Sequence, residues 1–407
     1  MRKYSGRTLI LSLKTLLKKN TETFDRKKCC AEIFCLPFFL FVQKRFTGLS
    51  WKGKSDGMEE KKQVSTPGKR KIRYLFLSLI PAVILLGIVF ILLDSREVVS
   101  REYKDAEAAF AYPDLNTGFI PQGIDYDETI DAYFLSGYMG LPAPSSIYVM
   151  RRSDGKMIAH ALLQKEDGSE LRAHCGGVGV WHDYVYAAAT NDGVYVFDRT
   201  ELLQAGEGKT VRALGHFPIE INEIHVTASF LGIHDDQMTI GEFRMPLILD
   251  KPKNHRYKTA DGVQRNALAI TFPLDESKPL GVNGEPLAMY AIPDSAQGIL
   301  FADNRIVVSC AMGLFQSHVY AFDETKLKEC AVLKTAGKNI PVYGLDDSVL
   351  TASRVFPPMN EELDIVSGRL VIANESASSR YMIGKEYGMD YCYTFSCQGL
   401  LPEPGGE

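Results

Sequence analysis

The sequence predicts an all-β protein, a five-bladed β-propeller preceded by one transmembrane helix, with six blades as the alternative count. One observation is a hairpin pattern that recurs five times between Gln122 and Glu375, at intervals of 52 to 69 residues. Repeats of about 40–50 residues or more with several short strands each are typical of propellers. The other is a run of 20 residues without a charge, 74–93, upstream of the repeats.

Residues 74–93 form the predicted transmembrane helix. Twenty apolar residues in a helix span a hydrocarbon core of about 30 Å, and Pro81 is tolerated inside such a helix. Residues 1–73 carry a net charge of +13, which leaves −17 for residues 94–407 of a chain whose net charge is −4. The positive-inside rule therefore predicts a single-pass protein of the cell membrane with a cytoplasmic N-terminus and an extracellular propeller.

An uncleaved signal-anchor is favoured over a signal peptide, because the apolar run exceeds the usual length of about 7–15 residues and no A-x-A-like site follows it. Residues 1–73 form a basic cytoplasmic tail. Residues 1–57 have two interpretations: a membrane-surface segment around the short apolar patch 33–42, or sequence upstream of a natural start at Met58 that is not translated. We expect N-terminal sequencing to find Met58.

A charged linker is predicted over 94–115 and the propeller over 116–400. The inner hairpins of the blades, strands A and B, are predicted at 123–136, 177–187, 229–242, 298–309 and 362–373. Outer strands C and D follow in most repeats, with the second D strand at 210–214 and an insertion, 245–265, between B and C of the third. The fifth repeat has no D strand of its own. The segment before Gln122 is predicted to supply that strand and close the ring.

Several motifs of the repeat region carry a resemblance to a known group. They are Pro121-Gln-Gly-Ile-Asp-Tyr-Asp, Ser146-Ile-Tyr-Val-Met, His174-Cys-Gly-Gly-Val, Ala296-Gln-Gly-Ile and Asn374-Glu-Ser-Ala. Over roughly residues 115–397 the chain resembles the uncharacterised, membrane-anchored bacterial β-propeller proteins of the YVTN/quinoprotein-like group. The resemblance implies the fold and assigns no activity. The chain departs from it at Glu362, where glycine is expected and where the freedom to adopt positive φ is lost.

Ligands of propellers bind where loops from all blades converge, at one end of the central channel. Strands A begin and strands B end at the same end, because each pair forms a hairpin. The candidate ligand-binding residues at these positions are Gln122, Tyr138, His174, Asn191, Glu242, Gln297, Glu361 and Glu375; Ser309 and Ser376 also follow B strands at this end. Their amides, carboxylates and imidazole fit a sugar, a peptide or a cation. The alternative is that they only satisfy backbone groups at the channel end and hold water.

Glu242 and Glu375 are the candidate metal ligands. Two carboxylates and the amide oxygens of Gln122 or Gln297 are ligands that Ca²⁺ accepts. Calcium is therefore the one cofactor candidate, and with it a hydrolase of the metal-dependent lactonase type. No residue is assigned as catalytic, and the sequence favours a protein that is not an enzyme.

The leading interpretation is a membrane-anchored, extracytoplasmic module that binds a cell-wall component, a peptide or a protein partner. One alternative is the calcium-dependent hydrolase. Another is a scaffold of an envelope complex that uses the insertion 245–265 as its contact surface. A net charge of −17 beyond the membrane segment disfavours nucleic acid as a partner, because phosphate backbones require basic surfaces.

Overall fold

The computed structural model describes residues 67–139, 143–335, 337–381 and 390–402, without the side chains of residues 67–78, 80 and 100. The predictions for residues 1–66, including the start at Met58, lie outside the described residues. The chain divides between Leu92 and Leu93 into two compact units.

The first element is a long helix, α1 (Pro67–Glu102), which includes Pro81 and the predicted segment 74–93. Among the residues with described side chains, no helix is long and apolar enough to cross a membrane. The side chains at the start of segment 74–93 are not among them. The membrane span therefore stays a prediction.

Five β-sheets form the blades of a propeller, as the repeats predict. Blade 1 contains β2 (Ile120–Asp127), β3 (Ala132–Tyr138), β4 (Ser146–Arg151) and β5 (Met157–Gln164), and blade 2 contains β6 (Cys175–Trp181), β7 (Tyr184–Ala189), β8 (Gly193–Asp198) and β10 (Gly215–Phe217). Blade 3 contains β13 (Phe230–His234), β14 (Gln237–Gly241), β17 (Ala267–Pro273) and β18 (Ala288–Ile292), and blade 4 contains β19 (Ala296–Ala302), β20 (Arg305–Cys310), β21 (Ser317–Asp323) and β24 (Leu350–Phe356). Blade 5 contains β25 (Asn360–Val366), β26 (Arg369–Asn374), β27 (Tyr391–Ser396) and, from the N-terminal side, β1 (Glu107–Ala111). The first-named strand of blades 1 to 5 lies innermost, and each inner strand contacts the next one around the ring.

The ring is closed by the N-terminal strand β1, which pairs antiparallel with β27. This confirms the prediction that a segment before Gln122 completes the last blade. Residues 107–111 thus belong to blade 5 although the predicted linker 94–115 includes them. The rest of that segment holds the end of α1, a 3-10 turn (Tyr103–Asp105) and a second 3-10 turn (Leu115–Thr117).

Two blades carry extra outer strands that the repeats do not predict. After helix α2 (Arg199–Leu203), strand β9 (Glu207–Arg212) adds to blade 1, parallel to β5. The prediction of the second D strand at 210–214 is therefore wrong, and β10 takes that place. Strands β22 (Glu329–Lys334) and β23 (Asn339–Gly344) extend blade 3, with β23 parallel to β18. The other short strands pair as hairpins, β11 (Ile219–Ile221) with β12 (Ile224–Val226) and β15 (Tyr257–Lys258) with β16 (Gln264–Arg265).

The hydrophobic core consists of five clusters, one between each pair of neighbouring blades. Side chains of a strand alternate between the two faces of its sheet. In β7, Val185 and Ala187 pack toward blade 1, whereas Tyr186 and Ala188 pack toward blade 3. Because both faces of each blade are buried, most strand residues are apolar, but the inner strands β2 and β25 also contain acids.

Candidate functional site

The inner strands β2, β6, β19 and β25 each contain a bulge near their first residues. A bulge inserts an unpaired residue and redirects its side chain. The bulges include Gln122, Gln297 and Glu361, and Glu375 directly follows β26 at the same end. We call this end of the channel, where these four residues lie, the mouth.

The mouth is built from two pairs of an amide and an acid. Gln122 Nε2 donates to Glu375 Oε2 at 3.1 Å, and Gln297 Nε2 donates to Glu361 Oε1 at 3.1 Å. The hydroxyl of Tyr381 also donates to Glu375 Oε2, at 2.8 Å. The predicted residues Gln122, Gln297, Glu361 and Glu375 are thus brought together, each acid held by an amide from another blade.

The pKa values of both acids of the mouth are raised. Burial raises the pKa of Glu361 well above its usual value, and the nearby charge of Glu375 raises it further. Burial also raises the pKa of Glu375, and the two carboxyl groups hydrogen-bond each other. Among the described residues, no lysine or arginine hydrogen-bonds to either acid. One proton shared between the two carboxyl groups relieves their repulsion.

Aromatic rings stand beside these acids. The rings of Tyr138 and His174 lie 4.6 Å apart, and Thr190 Oγ1 lies 3.3 Å from His174 Nδ1. Burial and the charge of Glu375 raise the pKa of Tyr138 to about 12. Asn191 lies in the exposed turn between β7 and β8. Tyr138 therefore belongs to the mouth with Glu375, and His174 joins it through ring contact.

Glu242 has different neighbours from the other predicted site residues. It is fully buried, and its carboxylate lies 2.9 Å from His255 Nδ1 and 3.6 Å from Lys251 Nζ. Both partners belong to the insertion, and the backbone N–H of Leu268 donates to Glu242 Oε1 at 3.0 Å. Among the residues that the structure describes, Glu242 and Glu375 share no hydrogen-bond partner. Within the described ranges, no three His, Cys, Asp or Glu side chains form a group that could hold a metal ion, and the calcium role stays a prediction.

Six buried side-chain polar atoms lack a hydrogen-bond partner in the described part of the protein. Four belong to residues at or next to the ends of the inner strands: Gln122 Oε1, Ser229 Oγ, Ser309 Oγ and Asn360 Nδ2. The other two, His255 Nε2 and Asp294 Oδ1, lie in the insertion and in the loop before β19. Buried polar atoms are nearly always paired with protein, water or ligand. Ser229 and Asn360 are not among the predicted site residues, because a single serine or asparagine at the start of a strand carries no distinctive sequence signal.

Glu362 is a buried acid whose role at the centre of the ring is not predicted from the sequence. Its Oε2 accepts from the backbone N–H of Ile124 at 2.9 Å and of Val178 at 3.0 Å. Its Oε1 accepts from the N–H of Leu231 at 2.9 Å. One carboxylate of blade 5 thus connects the inner strands of blades 1, 2 and 3 at the centre of the ring.

Glycines of the other blades make room for Glu362. A Cβ on Gly177 would lie 2.6 Å from Glu362 Oε1, and one on Gly298 would lie 2.7 Å from Glu362 Cα. Glu362 itself has no positive φ, so the expected conflict with turn geometry does not arise. The sequence does contain a signal for this role of Glu362. The equivalent residues of three other repeats are the glycines Gly123, Gly177 and Gly298, and only blade 5 of this set has an acid there.

A second pair of acids lies two residues further along the inner strands. Asp125 Oδ2 accepts from the N–H of Val180 at 2.6 Å, and Asp364 Oδ2 accepts from the N–H of Tyr126 at 3.0 Å. Burial raises the pKa of both, that of Asp364 to about 6. The period of two places Asp364 on the same face as Glu362. Carboxyl groups therefore line the channel at three successive levels.

These acids make the propeller more stable at pH 5 than at pH 8, whereas His174, whose pKa burial lowers to about 4, acts in the opposite direction. A carboxyl group whose pKa is raised by folding holds its proton more tightly in the folded state. Its contribution is largest below the unfolded pKa and is lost as pH rises through the folded pKa, for Asp364 between 3.8 and about 6. Glu361→Gln isolates the effect of one acid, because it keeps the acceptor for Gln297 and removes the titrating group. Between pH 5 and pH 8 the melting temperature of the variant should fall less, or rise more, than that of the wild-type full chain. Identical pH dependence of the two proteins would contradict the prediction.

Comparison with known proteins gives no family. No protein family model and no curated protein matches the chain. Similar solved structures include the glutaminyl cyclase of Myxococcus xanthus, with 8% identity over 71% of this chain and 94% of that one and a TM-score of 0.37. BamB from Moraxella catarrhalis shares 11% sequence identity over 68% of this chain and 84% of that one, with a TM-score of 0.31. U3-55K shares 10% sequence identity over 72% of this chain and 99% of that one, with a TM-score of 0.36. Likenesses this low carry no inference about ligand or activity, and the resemblance to membrane-anchored propellers stays a prediction.

Proposed function

We propose that the chain is a membrane-anchored, extracytoplasmic binding module whose mouth holds a ligand rich in hydrogen-bond donors or positive charge. The observation that carries this proposal is the state of the Gln122 side-chain amide. Its Nε2 donates to Glu375, whereas its Oε1 is fully buried and has no hydrogen-bond partner among the described residues. A buried acceptor without a donor loses free energy that a donor group on a ligand would restore.

The acids next to this acceptor favour a cationic ligand. An ammonium group beside Glu361 and Glu375 would stabilise their ionised forms, which burial and mutual repulsion now disfavour. The rings of Tyr138 and His174 add faces on which a cation or a sugar can pack. Amino groups of a peptide, a protein side chain or an amino sugar of the cell wall meet these requirements.

Anchoring in the membrane is supported by the exposed side chains of α1. Large aliphatic and aromatic side chains face outward there, and they are Val83, Leu85, Leu86, Val89, Phe90 and Leu93. Exposed side chains this apolar fit a lipid environment. The +13 charge of residues 1–73 supports a cytoplasmic N-terminus and an extracellular propeller.

The two alternatives differ in support. A calcium-dependent hydrolase would need Glu242 and Glu375 to act together, but Glu242 is already engaged by His255 and Lys251. A scaffold of an envelope complex would use the insertion 245–265 and leave the mouth without a ligand.

Thermal melting of the full chain with trilysine, trialanine or CaCl₂ tests the ligand class. Trilysine should raise the melting temperature and trialanine should not; at 100 times its dissociation constant the gain is about 2.7 kcal/mol. Glu375→Gln should abolish the gain, whereas the exposed Glu220→Gln is the matched control and should keep it. No shift with trilysine would refute the cationic ligand. A shift with CaCl₂ that EDTA reverses would favour the hydrolase instead.

Protease added outside intact cells tests the topology of the same proposal. The long segment after Asp94 should be degraded, while residues before the apolar run should be protected. Full protection of the propeller would reverse the orientation and refute the extracytoplasmic placement.

A further inference from the structure

The insertion of blade 3 begins with an exposed turn that contains three consecutive large aliphatic residues. Leu247, Ile248 and Leu249 are 78%, 43% and 52% exposed. We call these three residues the apolar tip. Single exposed leucines are common on protein surfaces, but three in a row at a protruding turn indicate a contact surface.

The apolar tip is held in place rather than folded onto the blade. The backbone N–H of Leu249 donates to the carbonyl of Met245 at 2.9 Å. Below the turn, the buried guanidinium of Arg244 donates to Asp250 at 2.8 Å and to Asp294 at 2.6 Å. Leu247 adopts a φ of 70°, a left-handed conformation that is unfavourable for any residue with a Cβ. Strain at an exposed apolar residue points to a role other than stability.

The insertion that contains the apolar tip is basic. Residues 244–265 contain six Lys/Arg and two Asp, a net charge of +4, whereas residues 94–407 as a whole carry −17. Lys253, Arg256 and Lys258 are exposed. We call these three residues the basic collar. It is a local positive surface on an otherwise acidic unit.

The apolar tip and the point where the chain enters the propeller lie at the same end of the ring. The insertion follows Gly241, the last residue of β14, and therefore starts at the mouth. Ser95 Oγ donates to the carbonyl of Leu314, which lies in the turn after β20 and so also at the mouth. The first residues of the second unit, from Leu93 on, therefore lie at the mouth end.

We infer that the apolar tip and basic collar form a membrane-contact element that docks on anionic lipid headgroups. Elements of this kind bury their apolar side chains about 5–10 Å into the headgroup boundary while basic residues bind anionic lipids. The attachment of the chain at the mouth keeps the apolar tip close to one bilayer, and this part of the argument rests on the proposed anchor. The lipid contact itself rests on the exposure and charge of the insertion.

Fluorescence of an introduced tryptophan tests the contact. Full-chain Leu247→Trp is reconstituted in nanodiscs of brominated phosphatidylcholine, with and without phosphatidylglycerol. Leu214→Trp is the matched control, because Leu214 is 49% exposed and lies in the turn before β10, outside the insertion. The wild-type emission of Trp51 and Trp181 is subtracted. We expect brominated lipid to quench the tryptophan at 247 and not that at 214, more strongly with phosphatidylglycerol.

Charge reversal separates the two parts of the element. With Lys253→Glu and Lys258→Glu added, the increase in quenching caused by phosphatidylglycerol should disappear. High salt should have the same effect, because exposed charges are screened within about 10 Å at 0.1 M. Both lysines are exposed, so the melting temperature of the variant should match the wild type and exclude misfolding.

The outcomes distinguish a failed contact from a failed anchor. If the tryptophan at 247 is quenched no more than that at 214 in either lipid, the membrane-contact element is refuted while the anchor stands. An emission already blue-shifted without lipid would assign the apolar tip to a protein contact and also refute it. If the chain does not enter nanodiscs, the anchor fails, and the lipid contact is then tested with added vesicles of the same two compositions. A blue shift of the tryptophan at 247 that depends on phosphatidylglycerol supports the membrane-contact element. No shift refutes it.

Discussion

Replacing Glu362 with alanine is expected to destabilise the propeller by at least about 3 kcal/mol and to lower its melting temperature strongly. The substitution leaves the buried N–H groups of Ile124, Val178 and Leu231 without an acceptor. Each buried donor left unpaired costs about 1–3 kcal/mol. The loss falls on three blades at once, at the centre of the ring. Thermal or urea unfolding of the full chain measures it.

Burial of a carboxylate also has a cost, since burial raises the pKa of Glu362 against the effect of its three N–H donors. Glu362→Met separates the two effects, because methionine fills the volume without accepting a hydrogen bond. We expect Glu362→Met to remain strongly destabilised. A stability within 1 kcal/mol of the wild type, on the order of a single surface substitution, would show that the three hydrogen bonds do not hold the blades together.

Gly177→Ala is expected to cost about 3 kcal/mol or more, the upper range for overpacking a core. The new Cβ would lie 2.6 Å from the backbone nitrogen of Leu231 and 2.6 Å from Glu362 Oε1. These two atoms are joined by a hydrogen bond, so neither can move without breaking it. The backbone of one blade would therefore be pushed away from its neighbour at the channel axis.

Gly284→Ala is the matched control for this substitution. Gly284 is exposed, has no atom within 4 Å of an added Cβ and does not require a positive φ. We expect its stability to stay within about 0.5 kcal/mol of the wild type or to rise slightly, because alanine restricts the unfolded chain. Equal losses for both variants would mean that the close approach at Gly177 is not what limits stability.

The repeats predict the blades because each inner hairpin is local: two apolar runs and a polar turn within about a dozen residues specify strands, register and direction. Strands β9 and β23 escape prediction for the opposite reason. Each adds in parallel to a blade other than the one its neighbours in sequence belong to. Such pairing depends on which blade has its outermost strand close enough to accept another strand. The local pattern of apolar and polar residues does not encode this choice.

The candidate site is predictable to the extent that it follows from hairpin geometry. Gln122, Gln297, Glu361 and Glu375 lie at strand ends and are brought to the mouth. Glu242 occupies an equivalent position, yet His255 of the insertion takes its carboxylate. An insertion is the part of a blade that repeats do not describe, so its side chains cannot be assigned from the other copies.

Closure of the ring by β1 has a consequence for the order in which this protein acquires its structure during synthesis. Thr394 Oγ1 donates to the carbonyl of Glu107, a partner 287 positions earlier in the chain. Glu362, the acceptor for the first three blades, is also translated late. Until the ribosome has passed blade 5, strand β1 has no partner and the N–H groups at the axis have no carboxylate. A nascent chain that stops after four blades is therefore an open intermediate with exposed strand edges, which chaperones would have to protect until translation ends.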